Sequence, residues 1–341
     1  LDIYIIRVNS SFEQELTEFR RSSSDPRLDE FFAVERPCTD MVVLQPRGIA
    51  PFAHDGKDIA LAILGLVHGN EVAGVAILGS LLRQLASRTL QLRFKIAIGL
   101  GNVPAGSVGK RFVERDLNRS FLRDSKATHE DRRARELESV LRRTWRLLDI
   151  HQTREISQRP FFIFPYSREA LTWARQISAR HTVVTHWGKP FSGDGRCSDE
   201  FVNASGGVGI TVELGRCGFD PAQISIGGDL ATRAVAAMNQ LAVGQQVLPS
   251  EPAGEIFTWG AVLPWPSPDA FLHPGLVNFA PVASGQEIGL YGTERILAPV
   301  AGLALFPKYL DKPLPGQTPD PPPAEICRIL RPVREEELPT N

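Results

Sequence analysis

Between positions 57 and 245 the chain alternates short apolar runs with longer stretches in which apolar residues recur at helical spacing. The runs at 59–67 (IALAILGLV), 94–100 (FKIAIGL), 144–150 (TWRLLDI), 181–187 (HTVVTHW) and 209–214 (GITVEL) have strand length and composition, which predicts buried strands. The stretches 71–86, 128–143, 168–180 and 222–241 read as helices. In the second of these, Ala134, Leu137, Val140 and Leu141 share a face, with Arg and Glu on the other. This rhythm predicts an α/β fold built on a mixed, largely parallel sheet flanked by helices.

After Val247 the helical patterning stops. GEIFTWGAVL (254–263), GLVNFAPVAS (275–284), QEIGLYG (286–292) and RILAPVAGLALFP (295–307) are short segments separated by Gly and Pro, which predicts a smaller C-terminal all-β domain. The expected division is an N-terminal segment, 1–50, packed on the principal domain, 51–246; then the β domain, 247–310; then a tail, 311–341. That tail is Pro-rich (DKPLPGQTPDPPP) and ends in EEELPTN, a composition that favours extended or disordered chain.

Composition narrows the classes of partner. The 38 basic and 39 acidic side chains nearly cancel, so no global field recommends a nucleic acid or an anionic membrane. The apolar runs fall well short of the roughly 20 residues of a membrane span. LDIYIIRVNS lacks the pattern of a secretory signal, and Cys38, Cys197, Cys217 and Cys327 show no CxxC spacing. A reducing, cytoplasmic setting is expected, with free thiols rather than a disulfide framework or a thiolate metal site.

The candidate chemistry sits where strands end. GLVHGNE (65–71) comes directly off a predicted buried strand, and open α/β sheets bind ligands beyond their strands' carboxyl ends. His68 and Glu71, three apart across that turn, can converge on one metal, and zinc accepts both imidazole nitrogen and carboxylate oxygen. A catalytic site needs a third protein ligand, and His151 in LLDIHQT stands at another predicted strand end. Asp149, two residues earlier, projects to the same side and could orient a ligand. His186, at a further strand end, is a minor alternative ligand; His54, His129, His181 and His273 lack such partners in the sequence and read as surface or packing residues.

Two further segments carry polar groups that need an explanation. GNVPAGSVGKRFVERDLNRSF (101–121) gathers Lys110, Arg111, Arg115 and Arg119 among glycines and an Asn, which suits either a solvated basic loop or one that grips an anion. GGVGITVELGRCG (206–218) places Glu213 inside an otherwise apolar strand, where an ionisable group needs a partner or a task.

In their order, GLVHGNE, N-x-P-A with an Arg and DLNRSF, DIHQT and TVELG resemble the succinylglutamate desuccinylase/aspartoacylase family, which is related to zinc carboxypeptidases. The resemblance covers about residues 57–245, and the β-rich segment to about 310 looks like that family's C-terminal domain. It implies one Zn2+ per chain on His68, Glu71 and His151, with Glu213 as general base and acid. Arg111 matches the residue that polarises the scissile carbonyl, and Asn118 with Arg119 the pair that binds the substrate's α-carboxylate. The implied reaction is hydrolysis of an N-acyl amino acid, N-succinylglutamate or a relative, with TVELG closer to the desuccinylase than to aspartoacylases.

Arg196 and Lys189 could read a second carboxylate or face solvent. The same clamp would also suit a carboxypeptidase acting on short peptides, unless the C-terminal domain closes over the crevice. A non-catalytic metal-binding protein would be expected to lack a ligand or the base, and this chain has all of them. A homo-oligomer stays open.

Overall fold

The computed structural model describes residues 2–188, 190–193, 195–249, 251–310 and 323–340. The chain begins with α1 (Asp2–Ser23), α2 (Pro26–Phe31), β1 (Phe32–Glu35) and β2 (Met41–Pro46). Then come β3 (Ile59–Gly65), α3 (Ala73–Ala86), β4 (Ile96–Leu100), α4 (Val103–Ser107) and α5 (His129–Leu141). β5 (Thr144–Thr153), β6 (Phe161–Pro165), α6 (Arg168–Ser178), β7 (Thr182–His186), α7 (Ser198–Ala204), β8 (Val208–Arg216) and α8 (Pro221–Leu241) follow. The C-terminal part holds β9 (Ile256–Pro264), β10 (Phe271–Leu272), β11 (Pro281–Val282), β12 (Glu287–Tyr291), β13 (Glu294–Leu297), β14 (Gly302–Leu305) and β15 (Glu325–Pro332).

Among the described residues, twelve strands form one sheet in the order β1-β2-β4-β3-β5-β8-β6-β7-β9-β15-β14-β11. β4, β3, β5 and β8 are mutually parallel, as are β6, β7 and β9, and the two groups meet where β6 runs antiparallel to β8. The mixed sheet flanked by helices is therefore the predicted class. β3 is buried at every position because helices cover both its faces, which is why it reads as an unbroken apolar run rather than an alternating one. Along β5 the residues alternate: Leu148 and Ile150 pack toward α3, α6 and α8, while Leu147 packs toward α5 and α7.

Local signals explain most boundaries. α5 opens on a capping box in which Thr128 and Asp131 each accept from the other's amide, and α8 opens on Asp220 followed by Pro221. The helix expected over 71–86 starts at Ala73 instead, because 68–71 closes a turn through Glu71 N–H donating to His68 O at 3.1 Å. Gly65 and Gly74 let β3 and α3 approach tightly, since a Cβ on Gly65 would sit 3.0 Å from Gly74 Cα. β6 and α7 were not expected: FFIFP is short and flanked by Pro, and SDEFVNA is too short for a helical period to show.

At the ends of the chain one expectation is extended and one changes: residues 1–50 pack on the principal domain as expected and also add strands to it. Residues 1–50 join the sheet, with β2 antiparallel to β4 and β1 beyond it. The segment 311–341, read as an extended or disordered tail, contributes β15, which lies between β9 and β14 in the large sheet. Residues 311–322 and 341 lie outside the described residues. Ile326, Ile329 and Leu330 of β15 are fully buried, so an apolar face that is invisible beside the Pro run makes this strand structural. The smaller all-β part is real, with β10, β12 and β13 in a separate three-stranded sheet, but β9, β14 and β11 extend the main one.

Because Ile329 has no exposed surface, Ile329→Ala is expected to destabilise the protein by about 2–5 kcal/mol, against less than about 0.5 kcal/mol for truncating the exposed Val262. Urea unfolding midpoints of the two variants check this, and equal midpoints would return the segment to the status of a tail.

Candidate active site

β3, β5 and β8 are adjacent and parallel, so their carboxyl ends open on the same edge of the sheet. The 68–71 turn after β3 brings His68 Nδ1 to 2.7 Å from Glu71 Oε1. β5 runs on to Thr153, carrying His151 to the same place, where its Nδ1 lies 2.8 Å from Glu71 Oε2 and 3.1 Å from His68 Nδ1. The three candidate ligand atoms lie within 4.8 Å of one another, all buried, and among the described residues this is the group that could hold a metal ion. His186 is not part of it; it stacks on Trp259 at the end of β7.

The cluster's own chemistry asks for a cation. Two imidazole nitrogens face each other beside a carboxylate, and buried acceptors crowded in this way are costly unless a positive charge sits among them. Burial opposes ionisation of Glu71, but His68 and His151 outweigh it and hold the carboxyl well below the usual range. Burial likewise opposes a charge on His151, yet Asp149 and Glu71 raise it well above the ordinary imidazole value. Without a metal the site takes up a proton; a divalent ion meets the same demand and also matches the donor set. The residues fit a metal.

The outer partners match that role. His151 Nε2 lies 3.0 Å from Asp149 Oδ2, leaving Nδ1 to the centre, and Ser198 Oγ donates to the same carboxylate oxygen. His68 Nε2 lies 3.1 Å from Asp116 Oδ1. Glu71 Oε2 accepts from Gln152 N–H at 3.0 Å, and Gln152 Oε1 in turn accepts from Ala73 N–H at the start of α3. Asp116 and Gln152 stand inside the motifs DLNRSF and DIHQT, but nothing in the sequence distinguished them from their neighbours.

Glu213 is paired with His151 in the β5–β8 register, so the two side chains project side by side from adjacent strands about 4.8 Å apart. One carboxylate oxygen, Oε2, is buried and has no hydrogen-bond partner among the described residues. Burial first, then the neighbouring Glu71 carboxylate, pushes Glu213 up to about 8, against the opposing pull of His151 and Arg111. A buried carboxyl with elevated proton affinity beside a metal-binding cluster is equipped to take and return a proton.

The basic loop is held by hydrogen bonds, although 108–110 and 112–114 stay exposed. Glu130 of α5, itself buried, accepts from the amides of Val113, Glu114 and Arg115 and from Asn102 Nδ2. Gly69 N–H donates to Arg111 O at 2.9 Å, fastening the loop to the 68–71 turn. The Arg111 guanidinium reaches His68 Nε2 (2.7 Å), Glu71 Oε1 (3.2 Å) and Asp116 Oδ2 (3.2 Å). Asp116 also caps the turn Leu117–Arg119 by accepting from Asn118 N–H, so one carboxylate ties the metal cluster to the residues expected to bind substrate.

Asn118 Oδ1 accepts from Ser198 N–H at 3.0 Å. Arg119 donates to Asn118 O at 2.6 Å, its NH1 lies 3.1 Å from Cys197 Sγ, and its guanidinium carbon stands 5.0 Å from the Phe191 ring centre. Arg196 is half-buried, its amide directed at Phe121 O at 3.4 Å, and Lys189 lies outside the described residues. No motif or periodicity singles out Arg328, Glu325 and Lys308 in the sequence. These residues come from the C-terminal strands and their connection: Lys308 is electrostatically coupled to Arg111, and Arg328 lies over Phe191 at 4.1 Å.

The family model for the succinylglutamate desuccinylase/aspartoacylase catalytic domain matches residues 57–240. A succinylglutamate desuccinylase of Photorhabdus laumondii is 30% identical over 184 residues, 48% of this chain and 55% of the relative, so the chain spans about half the length of that protein. The crystal structure of the succinylglutamate desuccinylase from Chromobacterium violaceum superposes with a TM-score of 0.65 at 21% identity, covering 93% of this chain and 98% of that one. Murine aminoacylase 3 does so with 0.56 at 18% identity, covering 75% and 91%. At such identities the likeness to solved structures shows the fold.

Asp149→Asn removes the negative charge beside His151 Nε2 and is expected to weaken divalent-metal affinity about 10- to 100-fold without unfolding the chain. Competition with a chelating dye measures it; unchanged affinity would detach Asp149 from the centre.

Proposed function

The chain belongs to the succinylglutamate desuccinylase/aspartoacylase family, and on that premise we propose that it is a zinc-dependent amide hydrolase acting on a small N-acyl amino acid, N-succinylglutamate or a relative. The observation that carries this reading is the convergence of His68, Glu71 and His151 on one point with Glu213 beside them in strand register. Two histidines and a glutamate are a donor set that catalytic zinc takes while keeping a position open. A zinc ion held there supplies Lewis acidity, which in general brings the pKa of water from about 15.7 toward 7.

The chain's own residues do the rest. Glu213 accepts the proton of the attacking water and returns it to the leaving nitrogen; its raised proton affinity supports the first transfer and its burial keeps the proton from bulk solvent. Arg111 stands over the three residues with its side chain 39% exposed and donates to the oxygen that becomes negative as the amide is attacked. Asn118 has its Oδ1 engaged by Ser198 N–H, which leaves Nδ2 as its side-chain donor. Asn118 and Arg119 together grip the α-carboxylate and hold the acyl amino acid in line.

A small substrate is favoured over a peptide. The support is that the C-terminal strands bring Arg328 against Phe191, beside the residues assigned to the substrate carboxylate. A cytoplasmic location belongs to the same reading, supported by four cysteines that are all free. No helix among the described residues is long and apolar enough to cross a membrane.

Assays of N-succinyl, N-acetyl and N-formyl amino acids beside dipeptides, with and without chelator, test the proposal: the acyl amino acids are expected to be hydrolysed and chelator to stop the reaction. Hydrolysis that persists in chelator would end the metal assignment. Glu213→Gln is expected to lower kcat by about 10²–10⁴-fold with zinc still bound, and retained turnover would remove the base role.

A further inference from the structure

The proposed carboxylate clamp is held from an unexpected direction. Phe191, in the connection between β7 and α7, carries two guanidinium groups over its ring: Arg119 at 5.0 Å and Arg328 at 4.1 Å from the centroid. Both fall within the roughly 6 Å at which a cation is attracted to an aromatic ring. The backbone of Phe191 is pinned at both ends, its N–H donating to Glu200 Oε1 at 2.9 Å and its carbonyl accepting from Arg328 at 3.1 Å. Arg328 is itself immobile, buried to 4% exposure, paired with Glu325 through Nε and NH2 (2.9 and 2.8 Å) and stacked 4.5 Å from the Trp259 ring centre.

From this geometry we propose that Arg328 is a positioning residue for substrate binding: acting through Phe191, it fixes the plane in which the Arg119 guanidinium meets the substrate carboxylate. Arg119 has its own anchors at Asn118 O and beside Cys197 Sγ, but both engage the same nitrogen, NH1, and so fix one point of the guanidinium. The Phe191 ring is the surface that sets its plane. Arg328 sets where that ring lies, and it comes from β15, outside the stretch that the catalytic-domain model matches. The C-terminal strands therefore complete the clamp rather than only covering a hydrophobic face. A fork held in plane loses less freedom when it closes on a carboxylate, which strengthens binding more than it speeds chemistry.

The inference rests on the assignment of Arg119 to the substrate carboxylate, and one arm of its test is independent of that assignment. In the full-length zinc-loaded protein with 15N-labelled arginine, the Nε–H signal of Arg119, identified by its loss in Arg119→Lys, is compared between wild type, Arg328→Met and Phe191→Leu. Met keeps the apolar stem of Arg328, and Phe191→Leu leaves β15 untouched, so misfolding of one variant still leaves the other.

The Arg119 signal is expected to move and broaden in both variants; an unchanged signal overturns the proposal. With N-succinylglutamate, Arg328→Met should raise KM about tenfold, leave kcat within twofold and leave bound zinc unchanged, and Arg328→Lys should recover part of the loss. Combined with Arg119→Lys it should add no further rise in KM. A fall in kcat at constant KM, or effects that multiply in the double variant, would overturn it. Wild-type protein that hydrolyses no acyl amino acid, with the signal still moving, would count against the proposed function and not against the positioning.

Discussion

Two imidazole nitrogens and a carboxylate, packed within a few ångströms of each other and shut away from water, form the constraint on which the rest of this molecule depends. His68 Nδ1, His151 Nδ1 and Glu71 cannot share that space comfortably without a positive charge between them. Glu213 beside them holds its proton more tightly, Asp149 and Asp116 stand behind the histidines, and Arg111 lies across the group. Each of these features is a response to the same concentration of charge at the sheet's edge.

The sheet makes that concentration possible. Parallel neighbours β3, β5 and β8 deliver their carboxyl ends to one line, so residues 68, 151 and 213 meet although they are widely separated in the chain. The approach of Gly74 to Gly65 pulls α3 back against β3, and the 68–71 turn closes in the space this leaves. β5 is ten residues long and buried throughout, which places His151 beyond the end of β3 rather than level with it. A carboxylate in the middle of an apolar strand, Glu213, has as its neighbour in register His151, one of the three residues that could hold a metal ion.

Around this centre the protein spends charged residues on rigidity. Glu130 turns a loop rich in arginine and glycine into a fixed wall by taking three successive amides. Asp116 joins that wall to His68, and Ser198 joins Asn118 to Asp149, so the substrate side and the metal side share supports. β15 adds a second wall, with Arg328 over Phe191 in the loop after β7 and Glu325 paired to both Arg328 and Lys308.

What the sequence determined by itself is the local part. The apolar runs of β3, β5 and β8, the helices after them, the turn GLVHGNE and the lone Glu213 are written in contiguous residues, because burial on both faces and helical spacing leave a mark in a short window. The family order of four motifs extended that reading to Arg111, Asn118 and Arg119. Pairings between residues far apart were decided only by tertiary structure. Asp116 under His68, Gln152 bridging Glu71 and α3, Glu130 beneath the loop and Arg328 over Phe191 each join segments whose spacing carries no periodicity. A strand that follows a proline run reads as tail until β9 and β14 are there to pair with it, since a strand's hydrogen bonds lie with its neighbours and not within itself.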